Sequence, residues 1–191
     1  AKYGFPVFAM NWTDPKSGET VEGFRERGFL PEAFINLLAL LGWNDGTEKE
    51  IFSLEELIQA FSMERVHSAG AKFDYEKAKW FNQEWLREKP VQAIVFALRS
   101  QFGSLGSLDS DKQERIVELV RDRCHLLTDF VEQTRYFFEY PKTVDLASIQ
   151  PKWNAEKGAF FRALIDRYAS FESWTVAELE ESFKTLATEH S

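Results

Sequence analysis

Three groups of residues in this 191-residue chain have side chains and spacing suited to gripping a polyanion. Arg65 and Lys72 flank the run Val66-His67-Ser68-Ala69-Gly70-Ala71. A backbone carrying such small side chains approaches a phosphate closely, and the cations beside it supply charge. The same residues equally make a connecting loop whose charges face water. Further on, Arg115, Arg121 and Arg123 lie off the apolar line of a helical pattern. Arg121 and Arg123 are two apart and project to different sides of a helix, so they do not form one basic stripe, whereas Arg121 and His125 share a face. Finally, Arg135 and Lys142 flank Tyr136-Phe137-Phe138. Aromatic rings stack on unpaired bases, yet three in a row point to several sides, which assigns one or two of them to a core. Arginine forks suit phosphate and base-edge contacts better than lysine does.

The residues that would carry covalent or metal chemistry do not assemble. His67 has no carboxylate or thiol partner at ligand or catalytic spacing, and the solitary Cys124 excludes an intrachain disulfide and a cysteine zinc site. The sequence has no glycine-rich phosphate loop and no nucleophile paired with a histidine. No catalytic residue and no metal ligand is assigned. Cys124 in a helical pattern reads as a small buried hydrophobe, which fits a reducing compartment.

Net charge is −8. That opposes a phosphate binder unless positive charge is concentrated locally, because nucleic-acid affinity comes mainly from Lys and Arg. Four of the 11 basic residues up to Pro90 are Arg, against seven of the 12 after it. Apolar residues at 44% and aromatics at 15% give enough core material for a globular chain. No apolar run reaches membrane-span length, and the first residues lack a signal-peptide pattern. The expectation is a cytoplasmic chain with no membrane partner.

The elements that must position these residues are helical. Pro31 and Glu32 suit a first helical turn, and Leu30, Phe34, Leu37, Leu38 and Leu41 form one stripe that Gly42 would end in a left-handed conformation. Ser53 to Glu56 is a capping box opening a helix with Leu54, Leu57, Ile58 and Phe61 on one side. Asp74 opens a third helix carrying Ala78, Phe81 and Trp85. Lys89-Pro90 marks a boundary. Beyond it Val91, Ile94, Val95, Leu98 and Phe102 form a stripe, and Gly103 to Ser107 a flexible connection. Ser110 to Gln113 reads as a capping box for a helix lined by Ile116, Val120, Cys124, Leu127 and Val131. Two helices follow Pro151, one with Phe160, Phe161, Leu164 and Ile165, and one capped by Thr175. Only the first residues read as β, with alternation from Val7 to Trp12 and a turn at Asp14 to Gly18. The expected fold class is mainly α: two consecutive helical bundles with a small N-terminal β-hairpin. The expected parts are a hairpin over 1–23, a helical domain over 24–89 and a second helical region over 90–191.

The segments Gly28-Phe-Leu-Pro-Glu-Ala33, Leu37-Leu-Ala-Leu-Leu-Gly-Trp43, Phe52-Ser-Leu-Glu-Glu56, Phe73-Asp-Tyr75 and Lys79-Trp-Phe-Asn82 resemble the part of bacterial glutamyl-tRNA synthetases that follows the catalytic domain. The likeness is dense over the first 90 residues and continues in register beyond. It implies a stem-contact domain over 24–89, with Arg65 and Lys72 as stem contacts, and an anticodon-binding region over 90–191 truncated at its C-terminus. In that region it implies Arg121 as the base-reading residue, with Arg123 as the alternative, and Arg135 and Lys142 as further tRNA contacts. It also implies a glutamate-specific tRNA partner, a monomer, and ATP with Mg in the parent enzyme. The ATP-holding motifs of that family are absent from these residues, so the fragment is expected to hold no cofactor and to be inactive alone. The competing reading is a helical protein-interaction module without nucleic-acid binding, supported by the acidic balance.

Overall fold

The computed structural model describes residues 6–67, 72–103, 105 and 108–190. The described chain is mainly helical, with one two-stranded antiparallel sheet of β1 (Trp12–Thr13) and β2 (Thr20–Val21) near its start. It divides into two compact units, residues 1–140 and 141–191.

In the first unit, the hairpin turn is closed by the Gly18 amide donating to the Asp14 carbonyl at 2.8 Å, with Gly18 at φ 73°. Helix α1 (Pro31–Leu40) begins at the proline because its missing N–H is not needed in a first turn. Helix α2 (Leu54–Ala60) starts on the complete Ser53/Glu56 capping box, in which the two amides are satisfied at 3.1 and 2.9 Å. Asp74 caps α3 (Tyr75–Glu88) through the Glu76 and Lys77 amides. Pro90 then separates α3 from α4 (Val91–Phe102), because the residue before a proline leaves the helical region. Helices α5 (Ser110–Val120) and α6 (Leu127–Thr134) complete the unit.

The core does not stop at residue 90. Leu30 and Ala33 of the α1 end pack with Leu86 of α3, Ile94 and Leu98 of α4, Val117 and Val120 of α5, Cys124, and Leu127 and Phe130 of α6 in one buried cluster. A second cluster gathers Phe24, Phe29, Leu37, Ala78 and Phe81, and a third holds Trp43, Phe52 and Leu57. The Gly28-Phe-Leu-Pro segment joins the first two, through Leu30 and Phe29. Gly28 has φ 90°, and its carbonyl accepts from the Leu127 amide at 2.9 Å, which ties the entry of α1 to the entry of α6.

The second unit is a helical pair on a short lead-in: α7 (Leu146–Ile149), α8 (Ala155–Ala169) and α9 (Val176–Glu189). Leu164 and Leu186 are its buried aliphatics, Phe160 meets Phe183 edge-on at 5.5 Å, and the Tyr168 hydroxyl donates to the Leu179 carbonyl at 3.0 Å.

Several sequence expectations are corrected. Gly42 is not left-handed, since α1 ends on Leu41 in a right-handed conformation. The stripe on α2 buries Leu57 alone, with Leu54, Ile58 and Phe61 left exposed, because α2 packs on α1 through one short face. Asp109, not Ser110, caps α5, and Gln113 turns its amide to the Leu108 carbonyl. The helix through Val131 is broken: a 3-10 turn over Arg121–Arg123 and an extended Cys124 intervene before α6, and Val131 is exposed. The break is satisfied locally, with the Asp129 carboxylate accepting the His125 and Leu126 amides at 2.8 and 2.9 Å. Arg121 and His125 therefore do not share a helix face.

Candidate nucleic-acid interface

The corner over residues 121–126 is held by side chains of other elements and carries an exposed arginine, Arg123. It lies after the end of α5 and before the start of α6, so its polar groups need partners from elsewhere. Helix α3 supplies them. Asn82, fully buried, accepts the Leu30 amide at 2.7 Å and donates to the His125 carbonyl at 2.6 Å. Gln83 donates to the Asp122 carbonyl at 3.1 Å. From the corner itself, Arg121 reaches back: its Nε donates to the Leu86 carbonyl at 3.0 Å, one Nη donates to the Lys89 carbonyl, and the other meets Glu118 at 3.2 Å. A guanidinium at the last carbonyls of α3 satisfies acceptors that the helix cannot and suits the negative end of its dipole.

The same end of α3 is joined to α1. Lys89 Nζ donates to Glu32 Oε1 at 2.7 Å. Burial alone would raise the Glu32 carboxyl, but this ammonium and its hydrogen bond hold it below the usual glutamate value. Cys124 forms the apolar floor of the corner, and burial pushes its thiol up to about 12.

What the corner leaves in solvent is Asp122, Arg123 and His125. Among the described residues no ion pair or hydrogen bond engages the Arg123 guanidinium. Arg121, by contrast, has a side chain only 14% exposed and spends every edge of its fork on protein. The two arginines therefore differ in what they already contact: Arg121 is held by protein groups, and Arg123 is exposed.

The other sequence-chosen cations stand on separate elements. Arg65, exposed on a one-turn 3-10 helix over Met63–Arg65, donates to the Asp45 carbonyl. The Thr47 hydroxyl and amide, with Arg65 nearby, hold the Asp45 carboxyl below the usual aspartate range. Lys72 is exposed; residues 68–71, the small-residue part of that loop, lie outside the described residues, as do 104, 106 and 107 of the connection after α4. His67 pairs its Nε2 with the Asn44 side-chain amide at 2.8 Å, which accounts for it structurally. Arg135 is exposed and lies 3.6 Å from Glu139, and Lys142 is exposed in the second unit. Arg115 is exposed on α5.

The aromatic run departs from expectation. Tyr136, Phe137 and Phe138 are 60%, 39% and 42% exposed, so none belongs to the core that was expected to take one or two of them. The cause is the end of α6: after Thr134 the chain tightens into a 3-10 turn over Arg135–Phe137, which carries the rings away from the buried face on which Phe130 lies. Tyr136 and Phe137 stay 4.3 Å apart at an angle of 32°, a tilted pair exposed to solvent.

Sequence reading missed Asn36, Gln83 and Asp129. Asn36 is fully buried and accepts from the Phe52 amide at 3.0 Å and the Trp85 indole at 3.3 Å while donating to the Glu50 carbonyl at 2.9 Å. Asn36 and Gln83 are buried polar residues inside helices, where an amide needs fixed partners, and Asp129 is an acidic residue in a first helical turn, where a carboxylate accepts free amides.

Comparison with known proteins agrees with this architecture. The profile described as "Anticodon binding domain" matches residues 75–191, and that described as "tRNA synthetases class I (E and Q), catalytic domain" matches residues 16–80. The glutamate–tRNA ligase of Amoebophilus asiaticus is 39% identical over 191 residues, covering 100% of this chain and 37% of its own length. That of Flavobacterium johnsoniae is 42% identical over 191 residues, covering 99% and 37%. The crystal structure of a glutamate tRNA ligase from Elizabethkingia meningosepticum, in complex with its amino acid, superposes with a TM-score of 0.90 at 35% identity, over 98% of this chain and 38% of that one. The chain thus spans a little over a third of the length of the curated relatives it matches. These likenesses favour the tRNA reading over a protein-interaction module. With more than half of its residues inside the first profile, the chain belongs to the anticodon-binding-domain family of tRNA synthetases.

Proposed function

We propose that this chain is the stem-contact and anticodon-recognition portion of a glutamate–tRNA ligase, whose whole enzyme joins glutamate to its tRNA with ATP and Mg²⁺. Residues 24–89 make the stem-contact part, with Arg65 and Lys72 on the tRNA backbone. Residues 90–191 read the anticodon region, with Arg123 as the base-reading side chain and Arg135 and Lys142 on phosphates. The observation that carries the reading is the exposed Arg123, which no described residue engages, on a corner whose backbone is held by three side chains, Asn82, Gln83 and Asp129. A fork held ready beside unpaired bases makes two parallel hydrogen bonds to one base edge, which gives specificity as well as attraction. The exposure of Tyr136 and Phe137 favours a role in stacking on an unpaired base.

Among the described residues no cluster of three His, Cys, Asp or Glu side chains is arranged to hold a metal ion, and no glycine-rich loop cradles a triphosphate. No step of ATP chemistry is therefore derived from this chain. Its part is to bind and orient RNA as a partner of cytoplasmic protein synthesis, as a monomer.

The test is fluorescence anisotropy of the 191-residue chain with a labelled glutamate tRNA across a salt series. Four phosphate-facing cations, Arg65, Lys72, Arg135 and Lys142, predict that log affinity falls with log salt at a slope of about −3 to −4, from roughly 0.7 to 0.9 per neutralised phosphate. Binding with a slope near zero, or no binding by the folded chain, would refute the reading.

A further inference from the structure

The reading above gives Arg123 the contact with RNA, but it leaves unexplained why a second arginine two residues earlier is turned into the protein. Arg121 opens the 3-10 turn just past the end of α5 and yet is mostly buried, with its Nε on the Leu86 carbonyl, one Nη on the Lys89 carbonyl and the other against Glu118. These carbonyls belong to the C-terminal end of α3, the helix whose Asn82 and Gln83 side chains also face the corner. Asn82 holds the His125 carbonyl, and Gln83 holds the Asp122 carbonyl. Arg123 is thus bracketed: the residue before it is held by Gln83, the residue two before it by the α3 carbonyls, and the residue two after it by Asn82 and by Asp129 through its amide. Cys124, fully buried, fixes the residue immediately following. Holding a short irregular corner this firmly has an entropic consequence, since ordering one backbone residue costs about 1–2 kcal/mol. A corner already ordered need not be ordered by the ligand.

We propose that Arg121, together with Asn82 and Gln83, is a positioning element for Arg123: the polar seam from α3 sets the corner before RNA arrives, so that the base-reading arginine is aimed without an ordering step. The inference rests on the functional reading above, in which Arg123 touches RNA and Arg121 does not. It assigns the paired arginines different work. Arg123 determines which base is accepted, and Arg121 determines how sharply that choice is made. The same seam joins the end of α3 to the corner within the first unit. Asn82 extends the link to the Leu30 amide at the entry of α1, and Lys89 extends it to Glu32 in the first turn of that helix.

The fork geometry makes the proposal separable from a plain charge effect. Lysine keeps the positive charge of Arg121 but has no planar fork with which to reach two carbonyls and a carboxylate at once. The experiment measures the affinity ratio of the chain for a glutamate tRNA transcript over the same transcript with its anticodon replaced. It does so in the wild type, Arg121→Lys, Arg123→Ala and the double variant, with urea unfolding of each to establish the folded fraction. The wild-type ratio should fall in Arg121→Lys to within about threefold of its value in Arg123→Ala, and the double variant should fall no further, because Arg121 acts only through Arg123. A ratio in Arg121→Lys equal to the wild type, or losses that multiply in the double variant, would overturn the proposal. If Arg121→Lys lacks a cooperative unfolding transition, Gln83→Leu replaces it. That change removes one hold on the corner at nearly constant volume, and an undiminished ratio in the folded Gln83→Leu variant would equally overturn the proposal. A wild-type chain that binds both transcripts alike overturns the functional reading, and the inference with it; a wild type that discriminates while Arg121→Lys discriminates as well overturns the inference alone.

Discussion

Replacing Gly28 with alanine should be among the most damaging single-atom-scale changes available in the first unit. A Cβ at this position would lie 2.7 Å from the Thr128 amide nitrogen and 2.8 Å from that of Leu127, both backbone atoms at the start of α6. Neither can rotate away, so α6 or the α1 entry must shift, and the Gly28 carbonyl bond to the Leu127 amide at 2.9 Å shifts with them. The backbone itself sits at φ 90°, where a residue with a Cβ costs about 1–3 kcal/mol. Against this, alanine restricts the unfolded chain and returns about 0.4–1 kcal/mol. With the steric displacement of packed backbone added, the net loss comes to about 2–4 kcal/mol. For a unit of this size that corresponds to a fall in melting temperature on the order of 5–15 °C, at about 2–4 °C per kcal/mol. Gly42 is the control: a Cβ added there would meet no atom within 4 Å, and its φ is not positive, so Gly42→Ala should be neutral or stabilising by up to about 1 kcal/mol. Urea unfolding of the two variants beside the wild type reads both numbers. A Gly28→Ala protein within about 0.5 kcal/mol of the wild type, or a Gly42→Ala protein destabilised as much as Gly28→Ala, would refute the close-approach argument.

Three further outcomes are expected. Ser53→Ala removes one half of the capping box at α2 and should cost about 0.5–2 kcal/mol in urea unfolding, with Glu56→Ala costing no more; a silent Ser53→Ala would mean that the box contributes nothing. Phe81→Ala empties a fully buried ring site next to Asn82 and should cost about 3–5 kcal/mol, and a loss under about 1 kcal/mol would show that the cluster around Phe24 and Phe29 refills it. The Cys124 thiol, raised from 9.0 to about 12, should resist alkylation at pH 8 in the folded chain and react only as fast as the chain opens. Because its folded value lies above its unfolded one, its stabilising effect is complete below pH 9 and is lost as pH rises from there toward about 12, an alkaline fall in stability that Cys124→Ala should lack. Labelling of native protein at the rate of free cysteine would contradict this.

How much of this was legible in the sequence depends on the range of the interactions. Signals confined to a few residues, such as Pro31, the Ser53 box, the Asp74 cap and the break at Pro90, are present in the structure because neighbouring atoms alone decide them. The corner at 121–126 was not legible. Its periodicity reads as an uninterrupted helix through Val131, and what holds the break is the Asp129 carboxylate, three to four residues beyond the amides it accepts, together with side-chain amides from α3, some 40 residues upstream in sequence. The inward turn of Arg121 follows from the same long-range seam. Exposure of the 136–138 aromatics likewise depends on the geometry that follows Thr134, which residue type alone does not fix. The resemblance to glutamyl-tRNA synthetases carried the functional reading at a point where charge argued against it, and the net charge of −8 remains compatible with it because recognition needs a few placed cations rather than a basic surface.

The most direct test of the central claim is chemical footprinting of a glutamate tRNA with and without the 191-residue chain. The account predicts protection in two patches, the anticodon loop and the inner side of the stem, with the loop patch alone weakened by Arg123→Ala and the stem patch alone weakened by Lys72→Ala. Protection spread evenly over the backbone, or a loop patch indifferent to Arg123→Ala, would contradict the assignment of this chain to anticodon reading.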